Sequence, residues 1–269
     1  MRYIPSLTIA GSDSSGGAGI QADLKTMSAL GCYAMSVVTA VTAQNTCGVR
    51  AATPISTDMI RAQIDAVLED IPPKAIKIGM LFDADIITAV ADALQDCDVP
   101  IVLDPVMVAT SGDRLLDNGA VEALILRLVP LATLITPNLL EAEVLYGAKI
   151  SSHSDIQKAG EQLLSHGCQA VLIKGGHTLD KEATDYLFTR EGQATFTKPR
   201  LSSRNTHGTG CTLSSAITAY LAQGEKLHTA IAKAKEYLYQ AIKSGELMEI
   251  GHGHGPVDHF YSPLPSIKR

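Results

Sequence analysis

Two glycines stand just before an apolar helical pattern in the segment Asn205 to Ser215, which reads N-T-H-G-T-G-C-T-L-S-S. Because glycine has no Cβ atom, successive backbone N–H groups in such a turn can converge on one point. The first turn of a helix adds unpaired N–H donors and the positive end of the helix dipole, which together bind anions. The segment therefore predicts either an ordinary glycine-rich helix entry or a phosphoryl-binding site formed by Gly208, Thr209, Gly210 and Cys211.

Cys211 lies at the start of this predicted helix. The pKa of a thiol is commonly lowered at a helix N-terminus beside an anion pocket, which would allow the sulfur to act as a general base. The alternative is an inert cysteine that packs as a small hydrophobic side chain and forms part of the pocket wall. A thiol hydrolase that pairs Cys211 with His207 is a third interpretation, although the sequence offers it no partner acid.

Polar residues also follow three short apolar runs elsewhere in the chain: Asp104, then Asn138 with Glu141, and finally Lys174. If these runs are parallel strands, their carboxyl ends share one edge of the sheet and the polar residues line that edge. Two carboxylates, a lysine and an anion-binding helix end suit Mg²⁺ and a nucleotide triphosphate. Taken singly, each residue is also typical of a turn or a solvated helix surface.

Short β-branched or aliphatic runs alternate with longer amphipathic segments, which indicates βαβ units and a mostly parallel sheet with helices on both faces. The predicted strands are Leu7–Ala10, Ser36–Val41, Val49–Ile55, Ala75–Ile78, Ile101–Leu103, Thr133–Thr136 and Ala170–Ile173. The predicted helices cover about 19–31, 58–69, 83–95, 118–128 and 155–165, and two more run from Leu213 to about Lys243. Tyr186–Thr189 and Ala194–Lys198 flank R-E-G-Q and predict a hairpin at one sheet edge. Without linkers or repeats, residues 1–269 are interpreted as a single domain.

Two loops are rich in small and polar residues. Gly11–Gly19 reads G-S-D-S-S-G-G-A-G directly after the first strand. It lacks the Gly-Lys-Ser/Thr ending of a phosphate loop and does not match G-x-G-x-x-G, so we interpret it as a loop on the substrate side. Val108–Asp113, which is mostly small and polar, is predicted to be a mobile lid.

Composition excludes several classes of partner. The 269 residues carry a formal net charge of -6, which argues against nucleic acid and anionic membranes as partners. No apolar run approaches the ~20 residues needed to span a bilayer, and the N-terminus lacks signal-peptide features. The 5 cysteines are dispersed without a C-x-x-C pair. We therefore expect a reduced, cytoplasmic protein whose partners are small molecules.

Several motifs in the chain resemble the ribokinase superfamily. They are A-G-S-D-S-S-G-G-A-G-I-Q-A-D, V-T-A-Q-N-T, D-P-V-M-V-A-T-S-G, T-P-N-L-L-E, K-G-G-H and N-T-H-G-T-G-C-T. More narrowly, they resemble its hydroxymethylpyrimidine and phosphomethylpyrimidine kinases of thiamine biosynthesis. The resemblance extends from about Ser6 to Phe260 and includes G-H-G-H-G-P-V-D-H-F near the end.

The resemblance implies a single-domain, three-layer α/β sandwich that forms a homodimer. It also implies that ATP and Mg²⁺ are used to phosphorylate 4-amino-5-hydroxymethyl-2-methylpyrimidine and then its monophosphate. Gly208, Thr209, Gly210 and Cys211 would form the anion hole, and Cys211 would stand where many sugar kinases carry an aspartate base. The residues implied for ATP phosphates are Lys174, Asn138 and Thr206, and those implied for Mg²⁺ are Asp104 and Glu141.

Four further residues would surround the pyrimidine by the same resemblance: Asp23, Gln44, Met80 and Val106. The amide of Gln44 suits an aminopyrimidine, because it can accept from the 4-amino group and donate to the adjacent ring nitrogen. Met80 and Val106 would contact the faces of the ring, although ordinary core packing explains such residues equally well. Two other functions stay open, namely a pyridoxal kinase of the same branch and a nucleotide-binding regulator without catalysis.

Overall fold

The computed structural model describes residues 1–107, 118–175 and 181–268. The predicted lid at Val108–Asp113 lies outside the described residues, as do Gly176 and His177 of the K-G-G-H motif. The strands are β1 Pro5–Ala10, β2 Tyr33–Val38, β3 Ala40–Asn45, β4 Gly48–Pro54, β5 Ile76–Ile78, β6 Ile101–Leu103, β7 Leu134–Ile135, β8 Ala170–Ile173, β9 Glu182–Thr189 and β10 Gly192–Pro199.

The helices agree closely with the predicted ones. They are α1 Gly19–Ala29, α2 Thr57–Asp70, α3 Ala84–Leu94, α4 Asn118–Ala123, α5 Leu139–Tyr146, α6 His153–Ser165, α7 Thr209–Ala222 and α8 Leu227–Ser244. The helix predicted over 118–128 is α-helical only in its first half, because Leu124–Leu128 is a π-helical turn. Within the described ranges, no helix is both long and apolar enough to cross a membrane.

Eight strands form one sheet in the order β10-β9-β8-β7-β6-β5-β1-β2. β1, β2, β5, β6, β7 and β8 run parallel to their neighbours in this set, while β9 and β10 are antiparallel. The predicted α/β class and the antiparallel hairpin at one edge are both confirmed. Because six strands point the same way, the loops that follow them meet at one edge of the sheet.

Apolar side chains cover both faces of the sheet. In β6, Ile101 and Leu103 pack into one hydrophobic cluster and Val102 into the other, as the alternation of side chains along a strand requires. The first cluster lies under α2 to α6, and the second lies under α1, α7 and α8. Burial on both faces explains why the parallel strands are continuous apolar runs in the sequence.

The strand predicted over Ser36–Val41 is wrong as a single unit. The chain bends at Thr39, where β2 ends and β3 begins. Thr39 is held at the bend because its N–H donates to Ala10 O at 3.0 Å and its hydroxyl donates to Met80 O at 2.8 Å. Because these contacts involve residues distant in the sequence, the β-branched run Ser36–Val41 gives no local sign of the bend. β3 then pairs only with β4 in a separate two-stranded sheet, which we call the flap.

Candidate active site

Helix α7 begins at Thr209 with Gly208 as its N-cap, so the segment from Gly208 to Cys211, here called the anion-hole turn, opens the helix. Gly208 has φ +78, and a Cβ atom there would lie 1.9 Å from Gly17 O, so this position requires glycine. A Cβ atom at Gly210 would instead be 3.5 Å from both Asp104 Oδ2 and Lys174 Nζ. The first turn of α7 therefore lies directly over these two charged groups.

Asp104, which is buried, and Lys174, which is half-buried, form an ion pair between the ends of β6 and β8. Lys174 Nζ donates to Asp104 Oδ1 at 2.8 Å, and Thr136 Oγ1 donates to the same oxygen at 3.1 Å. Ser214, one helical turn beyond Gly210, donates to Asp104 Oδ2 at 3.2 Å. Burial alone would raise the pKa of Asp104, but Lys174 and Lys77 outweigh it and hold that pKa below its usual range. The prediction that Asp104 and Lys174 meet at one sheet edge is confirmed.

Glu141 lies close to this pair at the start of α5. Asn138 caps the helix, because Asn138 Oδ1 accepts from Glu141 N at 2.9 Å and Glu141 Oε2 accepts from Asn138 N at 2.8 Å. Asn138 and Glu141 thus form a reciprocal capping box at the start of α5. Burial raises the pKa of Glu141 to about 7, although Lys174 opposes this effect.

The two carboxylates fit a divalent cation that is shared with a phosphate. Asp104 and Glu141 both act electrostatically on Lys174, so the three groups are neighbours. No cluster of three or more His, Cys, Asp or Glu side chains suited to a metal occurs in the described part of the chain. Mg²⁺ commonly takes one or two carboxylates and completes its octahedron with water and substrate phosphates, so two acids suffice.

Cys211 differs from the expectation of a lowered pKa. Burial raises the pKa of its thiol to about 11, and the lowering influence of Lys77 and of a hydrogen bond from the Gly19 backbone does not compensate. The carboxylates of Asp23 and Asp104 add to the increase. The helix dipole predicted a thiolate from local sequence, whereas the half-buried side chain lies near the carboxylates of Asp23 and Asp104. At neutral pH the sulfur is therefore a protonated thiol.

Asp23 is fully buried behind the anion-hole turn. Its Oδ2 accepts from Lys77 Nζ at 2.8 Å and from Thr8 Oγ1 at 2.6 Å, and its Oδ1 accepts from Ser215 Oγ at 2.7 Å. These contacts join α1, β1, β5 and α7. In the structure, Asp23 therefore links α7 to the sheet. The expected contact between Asp23 and a pyrimidine stays a prediction.

The other residues expected around the pyrimidine are half-buried. Met80 follows β5, and a Cβ atom at Gly11 would come within 2.9 Å of Met80 Sδ, so the glycine leaves room for this side chain. Val106 follows β6 two residues after Asp104. Gln44 lies in β3 of the flap beside a bulge at Ala43/Gln44. Thr206 is also half-buried, three residues before Thr209, whose N–H donates to Thr206 O at 3.3 Å.

Comparison with known proteins places this geometry in a family. The family described as phosphomethylpyrimidine kinase matches residues 13–258. The hydroxymethylpyrimidine/phosphomethylpyrimidine kinase of Rhizobium meliloti is 51% identical over 256 residues, covering 95% of this chain and 96% of the relative. This chain belongs to the phosphomethylpyrimidine kinase family.

Two other similarities extend the family assignment. The thiamine biosynthesis bifunctional protein of Geobacter sulfurreducens is 51% identical over 254 residues, which are 94% of this chain and 51% of that protein. Among solved structures, the pyridoxal kinase from Staphylococcus aureus in complex with AMP-PCP and pyridoxal is 37% identical with a TM-score of 0.88, covering 98% and 97% of the two chains. The ribokinase-like fold is thus shared with a kinase for a different acceptor.

The site also contains residues that the sequence analysis did not identify. Lys77 is the clearest case, because its side chain is completely buried beneath the site. The signal was available, since a lone lysine inside the apolar run Ala75–Ile78 must find a buried partner. Thr136 and Ser214, which hold Asp104, carry no comparable signal, because hydroxyl residues are common at strand ends and in helices.

Proposed function

We propose that this protein transfers the γ-phosphoryl group of ATP to 4-amino-5-hydroxymethyl-2-methylpyrimidine and then to the resulting monophosphate, in thiamine biosynthesis. The observation that carries the proposal is the position of the α7 N-terminus above the Asp104–Lys174 pair, with a Cβ at Gly210 only 3.5 Å from both groups. Such an arrangement offers backbone N–H donors and a lysine to a group that becomes more negative as it is transferred.

The residues at the phosphate end have separate tasks. The N–H groups in the first turn of α7 have no intrahelical acceptors and bind the transferring phosphoryl group. Lys174 has a raised pKa, because the attraction of Asp104 outweighs its burial, so it stays charged and neutralises ATP phosphates. Asn138 contacts the same phosphates from the N-cap of α5. Thr206 contacts them from its position two residues before Gly208.

Mg²⁺ would be held by Asp104 and Glu141, in part through water, and would supply charge neutralisation between the phosphates. For Glu141 this requires loss of a proton, because its pKa of about 7 leaves it partly protonated at neutral pH. Binding of the nucleotide with its cation is then coupled to release of that proton.

Gln44, Met80 and Val106 bind the acceptor ring. The Gln44 amide pairs with the aminopyrimidine edge, and the two apolar side chains contact the ring faces. Cys211 forms a neutral part of the pocket wall, because a thiol with a pKa of about 11 keeps its proton at neutral pH and cannot accept another as a general base. Asp23 supports this wall from inside through Ser215, which lies four residues after Cys211 on α7.

Pyridoxal phosphorylation is a second candidate. It is favoured by the structural similarity to the Staphylococcus aureus enzyme described above, which spans nearly the whole chain. The discriminating experiment measures phosphotransfer from ATP to the hydroxymethylpyrimidine, to its monophosphate and to pyridoxal in separate assays. We expect the specificity constants for both pyrimidines to exceed that for pyridoxal. A preference for pyridoxal would contradict the proposal.

The homodimer implied by the family resemblance stays a prediction, as does the assignment of the whole chain to one domain. Light scattering of the purified chain measures the first, and the number of cooperative unfolding transitions measures the second. We expect the mass of a dimer and one transition.

A further inference from the structure

The loop from Ser12 to Ala18, between β1 and α1, makes hydrogen bonds in two opposite directions. Ser12 and Ser14 bind the flap: Thr42 N donates to Ser12 Oγ at 3.1 Å, and Gln44 N donates to Ser14 Oγ at 2.8 Å. Ser14 Oγ in turn donates to Gln44 O at 2.7 Å. The loop therefore fixes the backbone of the strand that carries Gln44.

Asp13, between the two serines, binds the other side. Its Oδ2 lies 2.8 Å from His207 Nε2 and accepts from Gly17 N at 3.1 Å and Ala18 N at 2.8 Å. Its Oδ1 accepts from both the N–H and the hydroxyl of Ser15, at 2.8 and 2.7 Å. Burial would raise the pKa of Asp13, but these hydrogen bonds, led by that with His207, hold it far below its usual range. Asp13 and His207 are 1% and 6% exposed, so the pair is sealed from water.

His207 immediately precedes the anion-hole turn. Its ring packs on Gly17, where an added Cβ atom would lie 2.4 Å from His207 Cδ2, and Gly17 O touches Gly208 directly. On the opposite side, His207 N donates to Gly255 O at 3.0 Å. Because Nε2 of His207 is hydrogen-bonded to Asp13, this nitrogen is not paired with Cys211 as a thiol hydrolase would require.

We propose that Asp13 and His207 are a positioning pair, through which the Ser12–Ala18 loop holds the anion-hole turn in register with the strand that carries Gln44. The proposal rests on the role of the turn given under Proposed function. The acceptor and the phosphoryl group must meet within a few tenths of an ångström, and the loop is bonded through its side chains to both of their binding elements. Because both side chains are almost fully buried, we expect the pair to act without touching either substrate.

The test compares His207→Phe with His207→Gln. Phenylalanine keeps the ring on Gly17 but loses the donor, and Asp13 then still has its bonds to Ser15, Gly17 and Ala18. Glutamine restores a donor near the position of Nε2. Because a displacement of about 1 Å can cost about 10²-fold in rate, we expect kcat of His207→Phe to fall by roughly 10- to 100-fold with the KM values for ATP and pyrimidine little changed. We expect His207→Gln to recover most of kcat.

His228→Phe is the matched control, because it makes the same change at an exposed position of α8, away from Asp13. It should keep wild-type kcat, and the melting temperature of each variant identifies any that fail to fold. A double-mutant cycle of Ser14→Ala with His207→Phe measures the connection itself. If the loop joins the two elements, the combined loss in kcat is smaller than the product of the single losses.

Equal activity of His207→Phe and wild type, or equal loss in the Phe and Gln variants, would overturn the inference. A strictly multiplicative double mutant would overturn the connecting role of the loop. Gly210→Ala separates this failure from that of the proposed function. If Gly210→Ala abolishes phosphotransfer while His207→Phe does not slow it, only the positioning pair is wrong; if Gly210→Ala also leaves the rate unchanged, the turn is not the phosphate site.

Discussion

The phosphate end of the site and its acceptor end are built on different supports. Asp104, Lys174 and the anion-hole turn stand on strand ends and a helix start of the main sheet, and each charged group there has a buried partner. Gln44 lies on the flap, outside the eight-stranded sheet, and is half-buried. The Ser12–Ala18 loop and the bend at Thr39 tie the flap strand to the rest, and His254 N donates to Thr46 O in the turn of the flap.

The difference in support assigns phosphoryl transfer to the groups on the main sheet and acceptor specificity to the flap. Groups that stabilise charge in a transition state must be rigid and dry to be effective, and the sheet provides both conditions. A flap that is anchored by a few hydrogen bonds can change its side chains without disturbing the phosphate end. A related fold that phosphorylates pyridoxal is consistent with this division.

The largest expected effect comes from Gly210→Ala at the phosphate end. The added methyl group has van der Waals room at 3.5 Å from Asp104 and Lys174, so the protein should fold. If the anion-hole turn binds the transferring phosphoryl group as proposed, the methyl group crowds that space, and we expect kcat to fall by about 10²-fold or more, as for loss of an oxyanion-hole donor. Steady-state kinetics and thermal melting measure the two properties.

Gly208→Ala is the contrasting variant. Its φ of +78 and the 1.9 Å approach of Gly17 O mean that a methyl group there displaces backbone. We expect a lower melting temperature as well as lower activity. An equal drop in melting temperature for both variants would contradict the distinction between the two glycines.

At the acceptor end, Gln44→Leu should have the next largest effect. It leaves the aminopyrimidine edge unpaired, at a cost of roughly 1–3 kcal/mol or about 5- to 150-fold in the specificity constant for the pyrimidine. The KM for ATP should hardly change, because the flap does not contribute to the phosphate end. Gln193→Leu, the same change at an exposed position of β10, is the control. Unaltered pyrimidine kinetics in Gln44→Leu would remove Gln44 from the site.

A smaller effect is expected for Glu141→Gln, which tests the metal. The raised pKa of Glu141, about 7, means that protons compete with Mg²⁺ below neutrality, so the wild-type Mg²⁺ requirement should decrease as the pH rises through about 7. The glutamine variant should need more Mg²⁺ and show no such pH dependence. Glu143→Gln on the same helix is the control, because Glu143 binds Lys149 and Ile150 instead. A pH-dependent Mg²⁺ titration that survives in Glu141→Gln would exclude the assignment.

The smallest effect is expected for Cys211→Ala. A base role predicts that phosphorylation of the alcohol slows much more than that of the monophosphate, which already carries negative charge. With the thiol pKa raised to about 11, we instead expect small and equal losses in the two half-reactions. Separate assays of the two acceptors measure the ratio, and a selective loss with the alcohol would restore the base role.

Most of the fold could be predicted because its elements are encoded locally. The fully apolar run at Ile101–Leu103 and the helix over 83–95 are both predicted from local patterns, and they occur as β6 and α3. The break at Thr39 could not be identified. It depends on hydrogen bonds to Ala10 and Met80, which are distant in sequence.

The residue pattern is enough to establish the α/β class and to bring Asp104, Glu141, Lys174 and the anion-hole turn to one edge, because parallel strands deliver their carboxyl ends together. The tertiary structure decided the protonation of Cys211 and Glu141, since the pKa of a buried group depends on desolvation and on charges from other elements. It also decided the partners of Asp13 and Asp23. These carboxylates bind His207 and Lys77, which are 194 and 54 residues away, and separations of that length leave no local pattern.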